Sequence, residues 1–435
     1  MAKTKKNSKG LELVRKVHGL QEYKLSNGLR VLHRFDNTLP LVVAVVTYHV
    51  GSRNEALGYT GSTHILEHLL FKDSKNFNKK NDKSPTFYLE EMGASMNATT
   101  WYDRTNYFEL LPKEKAAEAL ALEADRMRYS QFTEEDLKTE MVVVHNEYER
   151  GRNDPAELVD EAVWATAFMA HPYHHPTIGW KEDIESANIP RLYEFYNRFY
   201  YPNNATLIVF GDMNAKELAS VVSKTFGALP SSPEAIPRMD VVEPEQTGLR
   251  TFRMTYPGNT TLVEVAQRAP KGTDADYATA LVVAYLLAGG LSSRLERKLV
   301  DCGLAVYVRP FMHAMHDPSL FTLCAQTTPG TKPEALHSVI ESEYKDLAQK
   351  GATAAELSRV KAQLHSQHSY DKDGIFREAR NVSEAVAAGD WTLEYRLKEL
   401  IEQVTVKDIS RVASKLLSKT GRIVGILEPK APKRK

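Results

Sequence analysis

Gly61-Ser62-Thr63-His64-Ile65-Leu66-Glu67-His68-Leu69-Leu70-Phe71 sets two histidines and a glutamate inside an otherwise apolar run that reads as a helix. On a helix His64 and His68 stand at i and i+4, so both imidazoles leave one face, with Glu67 close to it. Leu66, Leu69 and Leu70 supply the buried side that holds such a helix rigid. Two imidazoles one turn apart with a carboxylate beside them suit a tetrahedral zinc that keeps one position open for water. The reading is a metallohydrolase helix, provided that a third ligand comes from elsewhere.

Working outward from that helix, the preceding residues read as a hairpin turning at Asn27-Gly28, followed by an apolar strand from Leu41 to Val50. Ser74 to Pro85 is a polar loop, and a short helix through Leu89 to Met92 stops at Gly93. Ala94 to Thr100 and Thr105 to Leu111 alternate as a second hairpin. Helices are expected at Lys113 to Tyr129, Thr133 to Arg150 and Pro155 to Met169. A helix from Ile189 to Tyr200, a strand from Ala205 to Phe210 and a helix from Asn214 to Phe226 complete the first half. Pro230, Pro233, Pro237 and Pro244 mark residues 229–246 as a linker.

Beyond the linker the pattern restarts, since Thr247-Gly248-Leu249-Arg250 echoes Asn27-Gly28-Leu29-Arg30. Strands at Arg250 to Thr255 and Thr261 to Ala266 precede a helix from Asp276 to Ala288. Strands at Ala305 to Met312 and Leu320 to Gln326 lead to helices at Pro333 to Lys350 and Ala354 to Tyr370, and Arg422 to Leu427 is the closing strand. The expected fold class is α+β: two homologous sandwich-like domains, each an antiparallel or mixed sheet packed by helices. The domains are placed at residues 21–228 and 247–429, between basic tails at 1–20 and 430–435. The Asp276 to Ala288 helix has no histidine, so one copy carries the chemistry and the other is structural.

At 435 residues the chain exceeds one ordinary core. Its formal net charge of zero argues against nucleic acid as a partner. No apolar run reaches membrane-spanning length, and no apolar stretch follows the Lys-rich start as a secretory signal would. Cys302 and Cys324 do not make a disulfide framework and are read as buried free thiols. These features place the chain in the cytoplasm, or in the periplasm if a cleaved signal precedes it.

The third ligand has several candidates. Glu147 follows the apolar run Val142 to Val144, which is read as burying its helix, and Glu140 stands two turns earlier on the same face. Composition alone would make Glu140, Glu147 and Glu149 a solvated helix face. His145 points about 160° away from Glu147 at 100° per residue. His171, His174 and His175 form another cluster, on a proline-containing loop where ligand geometry is harder to fix.

Together, His64-Ile65-Leu66-Glu67-His68 and the segment from Glu140 to Glu147 resemble the pitrilysin (M16) family of zinc peptidases. The likeness is to its half-length subunits, such as those of the mitochondrial processing peptidase. Val50 to Glu55, Gly93 to Ala98 and Tyr201 to Ala205 match the family as well. The resemblance implies a metalloendopeptidase in which His64, His68 and Glu147 bind Zn2+ and Glu67 is the general base. It implies further that Glu140 supports the site, and that Asn97, Ala98 and Thr99 form an edge strand to which a peptide substrate adds. The serine-hydrolase alternative finds no nucleophile elbow at Gly290 to Ser293.

One departure bears on partners. Active members of the family often carry an Arg and a Tyr in the second domain that bind the substrate carbonyl region. Aligned on Gly303-Leu304-Ala305, Leu299 and Val306 stand in their places, with Tyr307 one place off and Arg294 upstream. The expectation is a heterodimer whose homologous partner supplies that pair; a homodimer using Arg294 or Tyr307 is the competitor. A non-catalytic scaffold subunit of the same fold is the alternative function, which the presence of all four site residues opposes.

Overall fold

The computed structural model describes residues 10–371 and 374–430, which form two compact units. The basic ends at 1–9 and 431–435 lie outside the described residues. The first unit takes the chain up to Tyr148, His175–Asp240 and Asp371–Ala387. Its strands are β1 (Glu12–Val17), β2 (Leu20–Lys24), β3 (Arg30–Phe35), β4 (Leu41–Tyr48), β5 (Ser95–Thr100), β6 (Thr105–Pro112) and β7 (Ala205–Gly211). They form a mixed seven-stranded sheet in the order β1-β2-β3-β7-β4-β6-β5, in which only β3 and β7 pair in parallel. Helices α1 (Ser62–Leu69), α2 (Pro85–Glu91), α3 (Ala116–Tyr129), α4 (Glu134–Arg152), α6 (Lys181–Glu185), α7 (Ile189–Phe199) and α8 (Ala215–Lys224) accompany it, while α5 (Pro155–Ala167) lies in the second unit.

The sheet's alternation explains its two covers. Val42, Ala44, Val46 and Tyr48 of β4 join Leu207 and Val209 of β7 in a core shared with Leu66 and Leu69 of α1, Leu120 of α3, Leu192 of α7 and Leu218 of α8. The first strand is a departure from expectation. Residues 1–20 were expected to be a tail, yet Glu12–Val17 pairs antiparallel with β2 and buries Leu11 beside it. Arg15 and Lys16 sit on this edge strand, where charge also blocks unwanted pairing.

The second unit takes Glu149–His174, Val241–Tyr370 and Ala388 onward. Strands β8 (Arg250–Tyr256), β9 (Leu262–Arg268), β10 (Ala305–Met312), β11 (Leu320–Thr327) and β12 (Arg422–Pro429) form a five-stranded mixed sheet in the order β10-β11-β9-β12-β8. One face packs on α9 (Tyr277–Ala288), α10 (Pro333–Lys350) and α14 (Val406–Leu416), with α11 (Ala354–Asp371) and α13 (Leu393–Gln403) contributing to the same core. The other face receives Leu158 and Val159 of α5 against Leu262, Cys324 and Leu427. Cys324 is the buried free thiol expected, but Cys302 is free and exposed. Cys302 lies in the turn that follows a π-helical turn at Glu296–Val300, with its Sγ 3.4 Å from the Arg297 carbonyl.

Each unit thus includes one helix from the other half of the sequence. The remaining helix, α12 (Ile375–Ala387), packs on β4 and β7 of the first sheet. Ala379, Val382 and Val386 bury its inner stripe, and Phe376 meets Phe108 edge-on at 5.5 Å. Polar contacts fix its position: Arg104 pairs with Glu384 at 2.7 Å, and Asn106 Nδ2 donates to Ser383 Oγ at 3.0 Å. The contiguous spans 21–228 and 247–429 are therefore interrupted, because an apolar helical stripe specifies that it is covered but not by which sheet.

In the second unit Arg294 is held by Glu356 through bonds of 2.7 and 3.0 Å and donates to the Gly351 carbonyl at 3.0 Å. The arginine bond lowers the Glu356 carboxyl from 4.5 to about 2. A carboxyl depressed on folding stabilises the native state above its unfolded value and loses that contribution as pH falls through the folded one. Glu356→Gln is therefore expected to cost stability at pH 6. The gap to the wild type should close between pH 4.5 and pH 2, read by urea denaturation at a series of pH values. A gap that persists unchanged to pH 2 would contradict the assignment.

Candidate metal centre

α1 starts from Gly61, whose φ of +86° suits glycine, and buries Ile65, Leu66 and Leu69. That burial turns His64 and His68 to the opposite face, their rings 4.9 Å apart between centroids and nearly perpendicular. Glu147 reaches them from α4: its Oε2 lies 3.4 Å from His64 Nε2 and 3.6 Å from His68 Nε2. All three donor atoms lie within 4.8 Å of one another, and among the described residues no other group of His, Cys, Asp or Glu converges in this way.

Glu140 stands behind the ligand face of α1. Its Oε2 meets His68 Nδ1 at 3.0 Å, and its other oxygen pairs with Lys72. A carboxylate accepting the Nδ1 hydrogen leaves His68 Nε2 as a lone-pair donor towards the converging point. Burial, and then the neighbouring His68, push His64 down to about 3, so its ring is neutral, as ligation requires. His64 Nδ1 is buried without a hydrogen-bond partner, so nothing in the protein competes for the tautomer that frees Nε2.

Glu67 is buried, and Thr100 Oγ1 on β5 donates to its Oε2. Burial raises its carboxyl above the ordinary value; the Thr100 bond, His68 and Arg104 pull it down, and Glu147 adds to the rise. Tyr107 Oη donates to the Glu67 carbonyl at 3.2 Å, tying α1 to β6. Thr100, Arg104, Tyr107 and Lys72 are not signalled by any motif; their positions follow from the neighbouring strands and from α1 itself.

β5 is an edge strand of the first sheet. Asn97 is exposed, Ala98 is buried, and the Ala98 amide donates to Asn97 Oδ1 at 2.8 Å. Arg104 Nη1 donates to the Thr99 carbonyl at 2.8 Å, so that end of the strand is held in place.

One expectation fails on α4. Val142 is 61% exposed and Val143 41%, and of the three valines only Val144 is buried. A helix presenting Glu140 and Glu147 to α1 can bury only the stripe beside them, and Val142 and Val143 fall outside it. The loop histidines do not converge on a common point. His171 Nε2 faces Asp317 at 3.3 Å, His174 Nδ1 faces the His171 carbonyl at 3.0 Å, and His175 Nδ1 faces the Pro176 carbonyl at 3.2 Å.

Comparisons with known proteins fit this arrangement. Residues 30–181 match the family described as insulinase (peptidase family M16), and residues 186–364 match the peptidase M16 inactive domain. The chain is 30% identical over 419 residues to the zinc protease PqqE of Helicobacter pylori, covering 93% of this chain and 92% of that one. It is 27% identical over 429 residues to a probable mitochondrial-processing peptidase subunit beta of Schizosaccharomyces pombe, again covering 93% and 92%. The crystal structure of a protease from Helicobacter pylori superposes with a TM-score of 0.89 at 28% identity, over 94% of this chain and 99% of that one. With the metal-ligand geometry and these likenesses together, the chain belongs to the M16 family of peptidases, as a half-length member with an M16 domain followed by an inactive M16 domain.

Proposed function

We propose that this chain is a zinc-dependent endopeptidase acting on peptides or unfolded polypeptide segments, and that it is the metal-bearing subunit of a dimer. The observation that carries the reading is the convergence of His64 Nε2, His68 Nε2 and Glu147 Oε2 beside a buried glutamate that is not one of them. Two neutral imidazoles and one carboxylate are a donor set that zinc accepts with a position left open. Bound there, zinc would lower the pKa of water and polarise a carbonyl.

The chain's own residues have separable parts in the reaction. Glu67 takes the proton from the attacking water and delivers it to the leaving amine; burial, which raises its proton affinity, suits both transfers. Thr100 holds the Glu67 carboxylate in one orientation, and Glu140 holds the His68 ring. The free edge of β5 takes the substrate as an added strand along Asn97, Ala98 and Thr99, with backbone pairing that depends little on sequence. The Ala98 amide then exchanges its bond to Asn97 for one to the peptide.

The dimer reading rests on the second unit. Leu299 is fully buried in the core, Val306 offers no polar group, and Arg294 is committed to Glu356. A partner of the same fold with an Arg/Tyr pair would supply what these positions lack.

The purified chain is expected to contain about one zinc per chain by elemental analysis. Peptide cleavage, in the presence of the partner subunit, should disappear on chelation and return with zinc. A protein free of zinc after zinc-supplemented purification would overturn the metal reading. Full activity of this chain by itself would overturn the heterodimer.

A further inference from the structure

The metal helix begins without a capping side chain, because its N-cap residue is Gly61. Glu55 fills that role from outside the helix. It follows the single helical turn Ser52–Asn54, and its two carboxylate oxygens accept separate amides, Oε2 from Gly61 N at 2.9 Å and Oε1 from Thr63 N at 2.7 Å. Its side chain is inaccessible to solvent, and His175 Nδ1 lies 3.8 Å from Oε2.

A second set of contacts closes on the same turn. Thr60 donates to Asp183 of α6 through both its amide, at 3.0 Å, and its hydroxyl, at 2.7 Å. The same hydroxyl accepts from Trp180 N at 2.9 Å. Backbone meets backbone here: a Cβ on Gly61 would lie 2.5 Å from the Ile178 carbonyl, and one on Gly179 2.5 Å from the Thr60 carbonyl. Both glycines also carry positive φ, of 86° and 93°. An ordinary N-cap satisfies one or two amides at the surface. Here a buried carboxylate, a second carboxylate and two glycines confine the one turn from which His64 projects.

We propose that Glu55 is a positioning residue for the metal centre, fixing the first turn of α1 and, through Thr63, the place of His64. This rests on the zinc reading above. The physical reason is that α1 is only eight residues long and both imidazoles ride on it. A small shift of its start moves His64 relative to Glu147, and metal sites tolerate little displacement of their ligands.

The test is zinc affinity measured by competition with a chromophoric chelator, on the full chain, for wild type, Glu55→Gln and Glu55→Asp, alongside the melting temperature of each apo protein. The carboxamide of Glu55→Gln can accept one amide but turns an N–H towards the other. Its zinc affinity is expected to fall about tenfold or more, the size of effect seen when groups that orient ligands are lost. Glu55→Asp keeps both carboxyl oxygens on a shorter reach and should recover part of that loss. If Glu55→Gln does not fold, Glu55→Asp decides alone, with weaker zinc binding expected in the folded protein. Wild-type zinc affinity in a folded variant, whatever its melting temperature, would overturn the role of Glu55 and leave the zinc reading intact. Failure of the wild type itself to bind zinc would overturn both.

Discussion

Glu67→Gln is expected to lower peptide turnover by about 10²–10⁴-fold while the protein still takes up zinc. The proposed ligand atoms belong to His64, His68 and Glu147, so the substitution removes none of them. Glutamine keeps the volume of the side chain and an oxygen that can accept from Thr100 Oγ1, so the local packing survives. What disappears is the atom that takes a proton. Burial raises the Glu67 carboxyl above its ordinary value, as suits the proton-transfer role proposed for it. Turnover of a peptide substrate and zinc content by elemental analysis, measured on one preparation, check the prediction. A variant that retains both would remove Glu67 from the mechanism; a variant that loses its zinc would show that the carboxylate helps to hold the metal.

The second large effect is on stability. Arg126 on α3 is fully buried, with Nη2 3.0 Å from Glu109 Oε1 and Nε 2.9 Å from Glu123 Oε2. Its guanidinium also lies 4.2 Å from the Tyr107 ring centroid and 5.3 Å from that of Phe71. Burial, and then the charge of Glu123, raise the Glu109 carboxyl well above its usual range, and the Arg126 charge opposes that rise. Arg126→Ala leaves the buried acid pair without its cation and is expected to cost about 3–5 kcal/mol. Against a total stability of about 5–15 kcal/mol that is a large share. If the unpaired acids are the cause, adding Glu109→Gln and Glu123→Gln should recover part of the loss. Denaturant unfolding of the single and triple variants tests both statements. A loss under about 1 kcal/mol in the single variant, the range of exposed pairs, would mean that water reaches the acids.

This cluster bears on function through Tyr107, which stacks with Arg126 and donates to the Glu67 carbonyl. α1 is thus held near its C-terminal end by β6 and at its first turn by Glu55. The metal helix is short, and its rigidity comes from its surroundings more than from its own eight residues.

The elements themselves were largely legible in the chain. Strand and helix periods located β2 to β7, α1 and most of the long helices, because side-chain spacing of two or 3.6 residues is a local property. The i and i+4 histidines mark a candidate metal face by their spacing alone. The folded chain then brought Glu147 to them from α4 and left the loop histidines apart. Three features had no local signal. Glu12–Val17 reads as a lysine-bearing tail until β2 is there to pair with it. Val142 and Val143 read as core until α4 is seen to turn Glu140 and Glu147 inward instead.

The exchange of α5 and α12 between the two units is the largest of these. The sequence by itself determined a duplicated α+β chain with one candidate metal helix, its two histidines and the glutamate beside them, all set by spacings within a few turns. Only the tertiary structure decided which sheet each amphipathic helix covers, and which distant side chains complete α1: Glu147 and Glu140 across its ligand face, Thr100 on Glu67, and Glu55 at its start. Glu147, Glu140 and Thr100 reach α1 across long stretches of chain, and Glu55, only six to eight residues from the amides it caps, reaches them through an irregular turn. Their partners are chosen by packing, which no local periodicity encodes.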